Sequence, residues 1–201
     1  MIYIAEKFFE VTAQMNSLLS EQRVNKIVKL RSERDRINCA LVYLLLRKAL
    51  FDEFGIDEAV EFGFGNFRKP YLIGYPEIFF SLSHSYDVAA CVVAGEEVGV
   101  DVQKITRVSD KAAKRVLTVN EYAEFSLHSD PDDYFCRVWT MKESYIKMTG
   151  KGLATELDKL ASNNIEKIRV IKRDGYYCSV CGPQSEIKYI GRDEIEQLCK
   201  R

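Results

Sequence analysis

The sequence predicts an α+β fold, and three observations predict it. Strand signals cluster mid-chain, at residues 78–84, 88–93 and 98–103. Long helical patterns flank them at 33–54 and 131–149. Short strands near 166–172, 175–181 and 186–190 follow, before a short helix from Asp193. Strands joined by turn-length links and grouped apart from helices read as antiparallel sheets carrying helices on a face.

Each element has a local reason. Met1-Ile-Tyr-Ile-Ala-Glu6 alternates like a short strand and lacks the basic start and long apolar run of a signal peptide. Ser20 caps a helix from Glu21, and Ser32-Glu-Arg-Asp35 resembles a capping box opening a helix that runs to Phe54 and stops at Gly55. Ile37, Leu41, Leu44 and Leu45 give that helix an apolar stripe expected to face inward. Residues 62–78, rich in Gly, Pro and aromatic residues, read as loop with at most one short strand. Ser85-Tyr-Asp87 supplies the turn of a hairpin between 78–84 and 88–93, and Gly95-Glu-Glu97 turns into the strand 98–103. Helices near 109–117, 119–127 and 131–149 follow, the last ended by Gly150 and Gly152. The natural boundary lies at Gly95–Val98, giving an N-terminal subdomain 1–97 and a C-terminal subdomain 98–201.

Composition bounds the function. At 201 residues with 47% hydrophobic and 29% charged side chains, the chain can bury a core without disulfide staples and is not a disordered tail. Its 29 basic and 30 acidic residues leave a net charge of −1, which argues against a nucleic-acid coat. The apolar run Ala40–Leu46 is broken by Arg47, far short of a membrane span. The six cysteines read as reduced thiols, and the close pair Cys178/Cys181 has no second pair or nearby histidine to complete a zinc site. A soluble cytoplasmic protein is the expectation, with no membrane or nucleic-acid partner.

Several residue groups have the chemistry of a diphosphate site. Asp101 and Gln103 alternate on a strand and share a face, while Glu143 and Lys147 stand one helical turn apart. Carboxylates suit Mg²⁺, and lysines neutralise phosphate oxygens. A Glu and Lys four apart is also an ordinary surface pair on any helix, so spacing alone does not decide between the readings. Basic residues Arg23, Lys26, Lys29, Arg31, Arg34 and Arg36 make the stretch 23–36 the strongest anion attractor in the chain. Phosphate-loop and dinucleotide fingerprints are absent from the sequence.

Order and spacing carry more than any one motif. Lys69-Pro-Tyr71, Phe80-Ser-Leu-Ser-His-Ser85, Gly99-Val-Asp-Val-Gln103 and the run Phe135-x₃-Trp139-x₂-Lys142-Glu143-Ser-x₂-Lys147-x₂-Gly150-Lys-Gly-Leu153 follow one another. Together they resemble the 4'-phosphopantetheinyl transferase superfamily, in its large surfactin-synthetase-activator branch, over roughly residues 18–153. The resemblance implies two similar α/β subdomains forming a pseudo-dimer, with the active site at their interface, in a monomer. It implies transfer of 4'-phosphopantetheine from coenzyme A to a serine of an apo acyl or peptidyl carrier protein, with Mg²⁺ and release of 3',5'-ADP. By that match Asp101, Gln103 and Glu143 would hold the metal, and Glu143 and Lys147 would be catalytic. Arg23, Lys26, Lys69, Pro70, Ser83, His84, Lys142 and Lys147 would bind coenzyme A. Three departures stand out: Gln103 where many relatives carry Glu, Arg68 where a glycine is usual, and Asn38 where an arginine is common, with Arg36 as its substitute. Gln103 and Asn38 also allow a second reading, a coenzyme A-binding pseudoenzyme that senses or scaffolds.

Overall fold

Alternating side chains let one strand serve two cores at once, and this chain uses that geometry in its central sheet. A computed structural model describes residues 1–6, 10–152, 157–183 and 186–200. In chain order the elements are β1 (Ile2–Glu6), α1 (Ala13–Asn16), α2 (Glu21–Ile27), α3 (Glu33–Phe54), β2 (Phe62–Phe64), β3 (Pro70–Leu72), β4 (Phe79–Ser85) and β5 (Val88–Ala94). There follow β6 (Gly99–Lys104), α4 (Asp110–Val116), α5 (Val119–Leu127), α6 (Pro131–Thr149), β7 (Ile168–Arg173), β8 (Tyr176–Cys181), β9 (Ile187–Tyr189) and α7 (Arg192–Leu198). Leu153, the last residue of the long motif, lies outside the described residues.

The first sheet has the order β4-β5-β1-β9 and a second has β6-β8-β7. Tyr3, Ala5, Ala89, Cys91 and Val93 of the first sheet pack into a core with α3. Their alternates Ile2, Ile4, Val88, Ala90 and Val92 meet Val98, Val100, Val102, Cys178 and Val180 of the second. The far face of the second sheet, including Cys181, packs under α6 with Met141. The layers therefore run α3, first sheet, second sheet, α6. Helix α3 is buried continuously from Asn38 to Leu50. The expected inward stripe is too narrow a description, because α2, α7 and the first sheet all pack against this helix.

The two sheets are joined along β4 and β6 by side chains. Ser81, Ser83 and Ser85 of β4 accept hydrogen bonds from the backbone N–H of Val100, Val102 and Lys104 at 3.1, 3.2 and 3.1 Å. The three bonds share a separation of 19 residues, so the strands run side by side in parallel with hydroxyls standing in for carbonyls.

Local signals placed the helix ends well. Ser20 and Ser32 accept from the backbone N–H of Arg23 and Asp35, and Gly55 and Gly150 end their helices at φ 69° and 67°. Two expectations need correction. The stretch 62–78 holds a hairpin, β2 paired with β3, where one short strand at most was expected. Its glycine and proline look like breakers in sequence, yet Gly63 leaves the space that the Tyr71 ring fills. The unit 98–201 also differs: β9 pairs in parallel with β1, and Ile190 and Ile195 enter the first core, so the tail returns to the N-terminal sheet. Among the described residues no helix is long and apolar enough to cross a membrane. Cys178 and Cys181 project from opposite faces of β8, and burial lifts their thiols to about 12 and about 11.

Candidate active site

The site begins with a close approach. A Cβ on Gly99 would collide with the backbone of Ser144 and Met148, so glycine lets β6 lie directly against α6. Two residues on, Asp101 faces the same helix and is 6% exposed. Its Oδ1 accepts from Lys147 Nζ at 2.7 Å and from Ser83 Oγ at 2.8 Å. Its Oδ2 is buried without a partner. Glu143, one turn before Lys147, is half-buried, and its Oε1 is likewise unpartnered. Burial, and then the neighbouring Asp101 charge, push the Glu143 carboxyl above its ordinary value. Glu143 and Lys147 line a cavity of ≈ 290 Å³ together with Arg68, Lys69, Pro70 and Leu82.

A neighbouring cavity of ≈ 450 Å³ shares Pro70 and Leu82 and adds Arg23, Lys26 and His84. The Arg23 guanidinium is held between the rings of Tyr43 and Phe62, 5.0 Å from each centroid, and donates to Cys39 Sγ at 3.3 Å. Lys26 is exposed at the rim. Burial, then the Lys147 and Lys26 charges, keep the His84 imidazole below its usual value. The two cavities form a cationic groove on one side of an acidic pair. That arrangement suits a polyphosphate with a divalent ion.

A family model described as the 4'-phosphopantetheinyl transferase superfamily matches residues 97–196. A 4'-phosphopantetheinyl transferase of Bacillus subtilis is 32% identical over 151 residues, 74% of this chain and 67% of that protein. The B. subtilis transferase ffp is 30% identical over 164 residues, 80% of this chain and 73% of that one. Sfp of B. subtilis strain 168 is 30% identical over 156 residues, 76% and 69% of the two chains. The chain belongs to the 4'-phosphopantetheinyl transferase superfamily.

Of the residues expected at the site of this phosphopantetheinyl transferase superfamily member, Asp101, Glu143 and Lys147 converge, and Arg23, Lys26, Pro70 and His84 line the adjoining groove. Others are placed differently. Lys142 points away from Glu143 and is fully buried, its Nζ donating to Glu121 Oε2 at 2.6 Å and to the carbonyls of Val116 and Leu157 at 2.7 and 2.9 Å. An ammonium has three donors and all three are used, so Lys142 offers none to a phosphate. Adjacent helical residues diverge by about 100°, which the motif conceals. Ser83 is also spent internally, on Asp101 and Val102. Lys69 lines the ≈ 290 Å³ cavity, but its Nζ lies 2.5 Å from Met148 O and 3.5 Å from Glu97 Oε1. Arg36 is exposed, donates to Leu30 O at 2.8 Å, and is not a wall of either cavity. Gln103 donates from Nε2 to Lys104 O at 3.2 Å and lines a third hollow of ≈ 630 Å³ with Arg107, Arg115, Phe135 and Trp139.

The residues fit a hard cation. Among the described residues no three Asp, Glu, His or Cys side chains gather as a closed metal site. Mg²⁺ needs less: it is usually bound by one or two carboxylates, waters and substrate phosphates. Two buried carboxylate oxygens without partners meet that need. Arg68, noted in the sequence only as a departure from the usual glycine, stands on the cavity wall, and the apolar hollow beside Gln103 was missed altogether. The hollow's only early signal was the Phe135/Trp139 spacing on α6, whose rings stack at 16°.

Proposed function

We propose that this protein moves 4'-phosphopantetheine from coenzyme A to a serine hydroxyl of an apo acyl or peptidyl carrier protein. The serine oxygen bonds to the β-phosphorus, the bond from that phosphorus to the bridging oxygen breaks, and 3',5'-ADP leaves. The reading rests on one observation above the rest: Asp101 and Glu143, from different elements, each keep a buried carboxylate oxygen without a partner beside Lys147. Asp101 and Glu143 would hold Mg²⁺, which when bound supplies charge neutralisation at the diphosphate. Gln103 lines a different hollow, its Nε2 donating to Lys104 O, and would contribute through water at most.

Lys147 would neutralise charge growing on the phosphoryl oxygens. Glu143, on the cavity wall beside Lys147, would also accept the serine proton. Arg23, Lys26 and His84 would grip the nucleotide's far phosphate, and Pro70 would wall the nucleotide. The hollow lined by Phe135 and Trp139 and rimmed by Arg107 and Arg115 opens at Gln103 and would receive an acidic carrier's apolar face. Binding of coenzyme A without turnover draws no support from this geometry, since both carboxylates stand ready.

The test is direct. Incubation with coenzyme A, Mg²⁺ and an apo carrier should raise the carrier's mass by one phosphopantetheine and release 3',5'-ADP. No transfer to any of a panel of fatty-acid, polyketide and peptide carriers would refute the reading.

A further inference from the structure

The loop from Gly65 to Pro70 carries two residues in a conformation that side chains disfavour. Phe67 and Arg68 have φ of 53° and 63°, in the left-handed region where a Cβ crowds the backbone. Glycine would hold the same turn without that cost. Two hydrogen bonds within the loop close its turn: Gly65 N–H donates to Lys69 O at 2.9 Å, and Arg68 N–H to Gly65 O at 3.2 Å. It also lies against the end of α6, where a Cβ on Gly150 or Gly152 would stand 2.8 Å from Lys69 Cδ or 3.4 Å from Phe67 Cβ. Strain of this kind survives where surrounding contacts determine it, and it clusters at ligand sites.

The side chain carried by that strained backbone is a cation on the wall of the cavity shared with Glu143 and Lys147. Three cations line this cavity: Arg68, Lys69 and Lys147. Lys147 is paired with Asp101, and Lys69 is held by Met148 O. Arg68 is exposed, and among the described residues its guanidinium has no hydrogen-bond or ion-pair partner. Among the described residues it is the one of the three with no protein partner, and its planar fork matches two phosphate oxygens at once.

We propose that Arg68 is a binding residue for the coenzyme A diphosphate, at a position where a glycine would serve the backbone better. The inference rests on the proposed coenzyme A reading and deepens it. Arg68 reaches the phosphates from the loop side, opposite the β6 and α6 groups, and makes good in part for Lys142, which the fold has withdrawn.

Calorimetric titration with coenzyme A and with dephospho-coenzyme A tests this without needing turnover. Arg68→Gln should weaken both ligands by roughly tenfold, the loss of one charge-assisted contact. Arg68→Lys should fall between that variant and the parent. Arg68→Gly should lose affinity like Arg68→Gln yet melt at a higher temperature than the parent, because the strain goes with the side chain. Affinities of Arg68→Gln within about twofold of the parent for both ligands would overturn the proposal and leave the transferase reading intact. A loss confined to coenzyme A would move Arg68 to the 3'-phosphate and refute the diphosphate assignment. A parent protein that binds neither ligand would sink both readings.

Discussion

Lys147 Nζ lies 2.7 Å from Oδ1 of Asp101, while Oδ2 of the same carboxylate is buried and has no partner. The lysine comes from α6 and the aspartate from β6, and Gly99 sets their distance by letting the two backbones touch. A buried polar atom left without a partner costs about 1–3 kcal/mol. Glu143 Oε1 repeats the cost on the neighbouring turn. Two such atoms, on carboxylates near enough for one charge to raise the other's proton affinity, are poor design for stability and good design for holding a ligand.

Replacing Glu143 should therefore separate stability from activity. The folded protein raises the carboxyl's proton affinity, so the ionised form destabilises the fold at every pH above the folded value. That penalty disappears as pH falls through the folded value toward the ordinary 4.5. Glu143→Gln removes the charge and should melt above the parent at about pH 7.5 in the absence of Mg²⁺. The gap should close near the acid end of a calorimetric pH series. Transfer should fall by roughly 100-fold or more, the scale of losing a general base or metal ligand. A lower melting temperature for the variant at neutral pH would contradict the placement.

Lys142 predicts the opposite pattern. It is 0% exposed and paired with Glu121, itself 7% exposed. Burial pushes the Glu121 carboxyl up, but the bond from Lys142 and backbone N–H groups of Ser162 and Thr118 outweigh it and hold it at about 2. The sign follows: this stabilisation is complete above the ordinary 4.5 and is lost as pH falls toward 2. The shift corresponds to about 3 kcal/mol at most, since burial pulls the Lys142 ammonium's own pKa down and works against it. Lys142→Met should cost about 3–5 kcal/mol in denaturant unfolding, and adding Glu121→Leu should recover part of it. The KM for coenzyme A of the folded variant should stay near the parent's; a large rise with unchanged stability would return Lys142 to the phosphates.

How much of this was legible in the sequence depends on range. Capping serines, stop glycines and alternating strands are read from neighbours a few residues apart, and Ser20, Ser32, Gly55 and Gly150 all appear in those roles. The convergence of Asp101 with Glu143 and Lys147 was implied by the family resemblance, whereas spacing alone left Glu143 and Lys147 open as an ordinary surface pair. What was hidden is orientation and long-range exchange. Lys142 and Glu143 are adjacent in sequence yet face different partners across α6. The return of β9 to β1 depends on a parallel pairing between chain ends, and nothing local marks it. The Ser81, Ser83, Ser85 alternation was visible, but its partners on β6 were not.

His84 should couple nucleotide binding to a proton. Burial first, then the Lys147 charge, with Lys26 a smaller contributor, depresses the imidazole in the free protein, while Asp35 and Asp101 oppose this. A phosphate arriving in the groove adds negative charge and restores proton affinity. Binding should therefore take up a proton, and coenzyme A affinity should rise as pH falls through about 6.5 and just below. Titrations in two buffers of different ionisation enthalpy would read the uptake directly. His84→Gln should abolish it; equal uptake in that variant would assign the proton elsewhere.

The serine ladder supplies an internal control for the acidic pair. Ser81 and Ser83 perform the same structural task, each accepting from a buried N–H of β6, of Val100 and Val102 respectively. Removing either hydroxyl leaves a buried donor without an acceptor, so Ser81→Ala and Ser83→Ala should each cost about 1–3 kcal/mol in denaturant unfolding. The two serines differ in one respect: Ser83 also donates to Asp101 Oδ1, and so fixes which carboxylate oxygen stays open. Ser83→Ala should therefore lower kcat and raise the Mg²⁺ concentration for half-maximal transfer, while Ser81→Ala keeps both near the parent. Ser83→Thr, which retains the donor, should restore most of kcat. If Ser81→Ala and Ser83→Ala lose activity in equal measure, the ladder acts only as a seam between sheets, and the aim of the Asp101 carboxylate must be set by Lys147 alone.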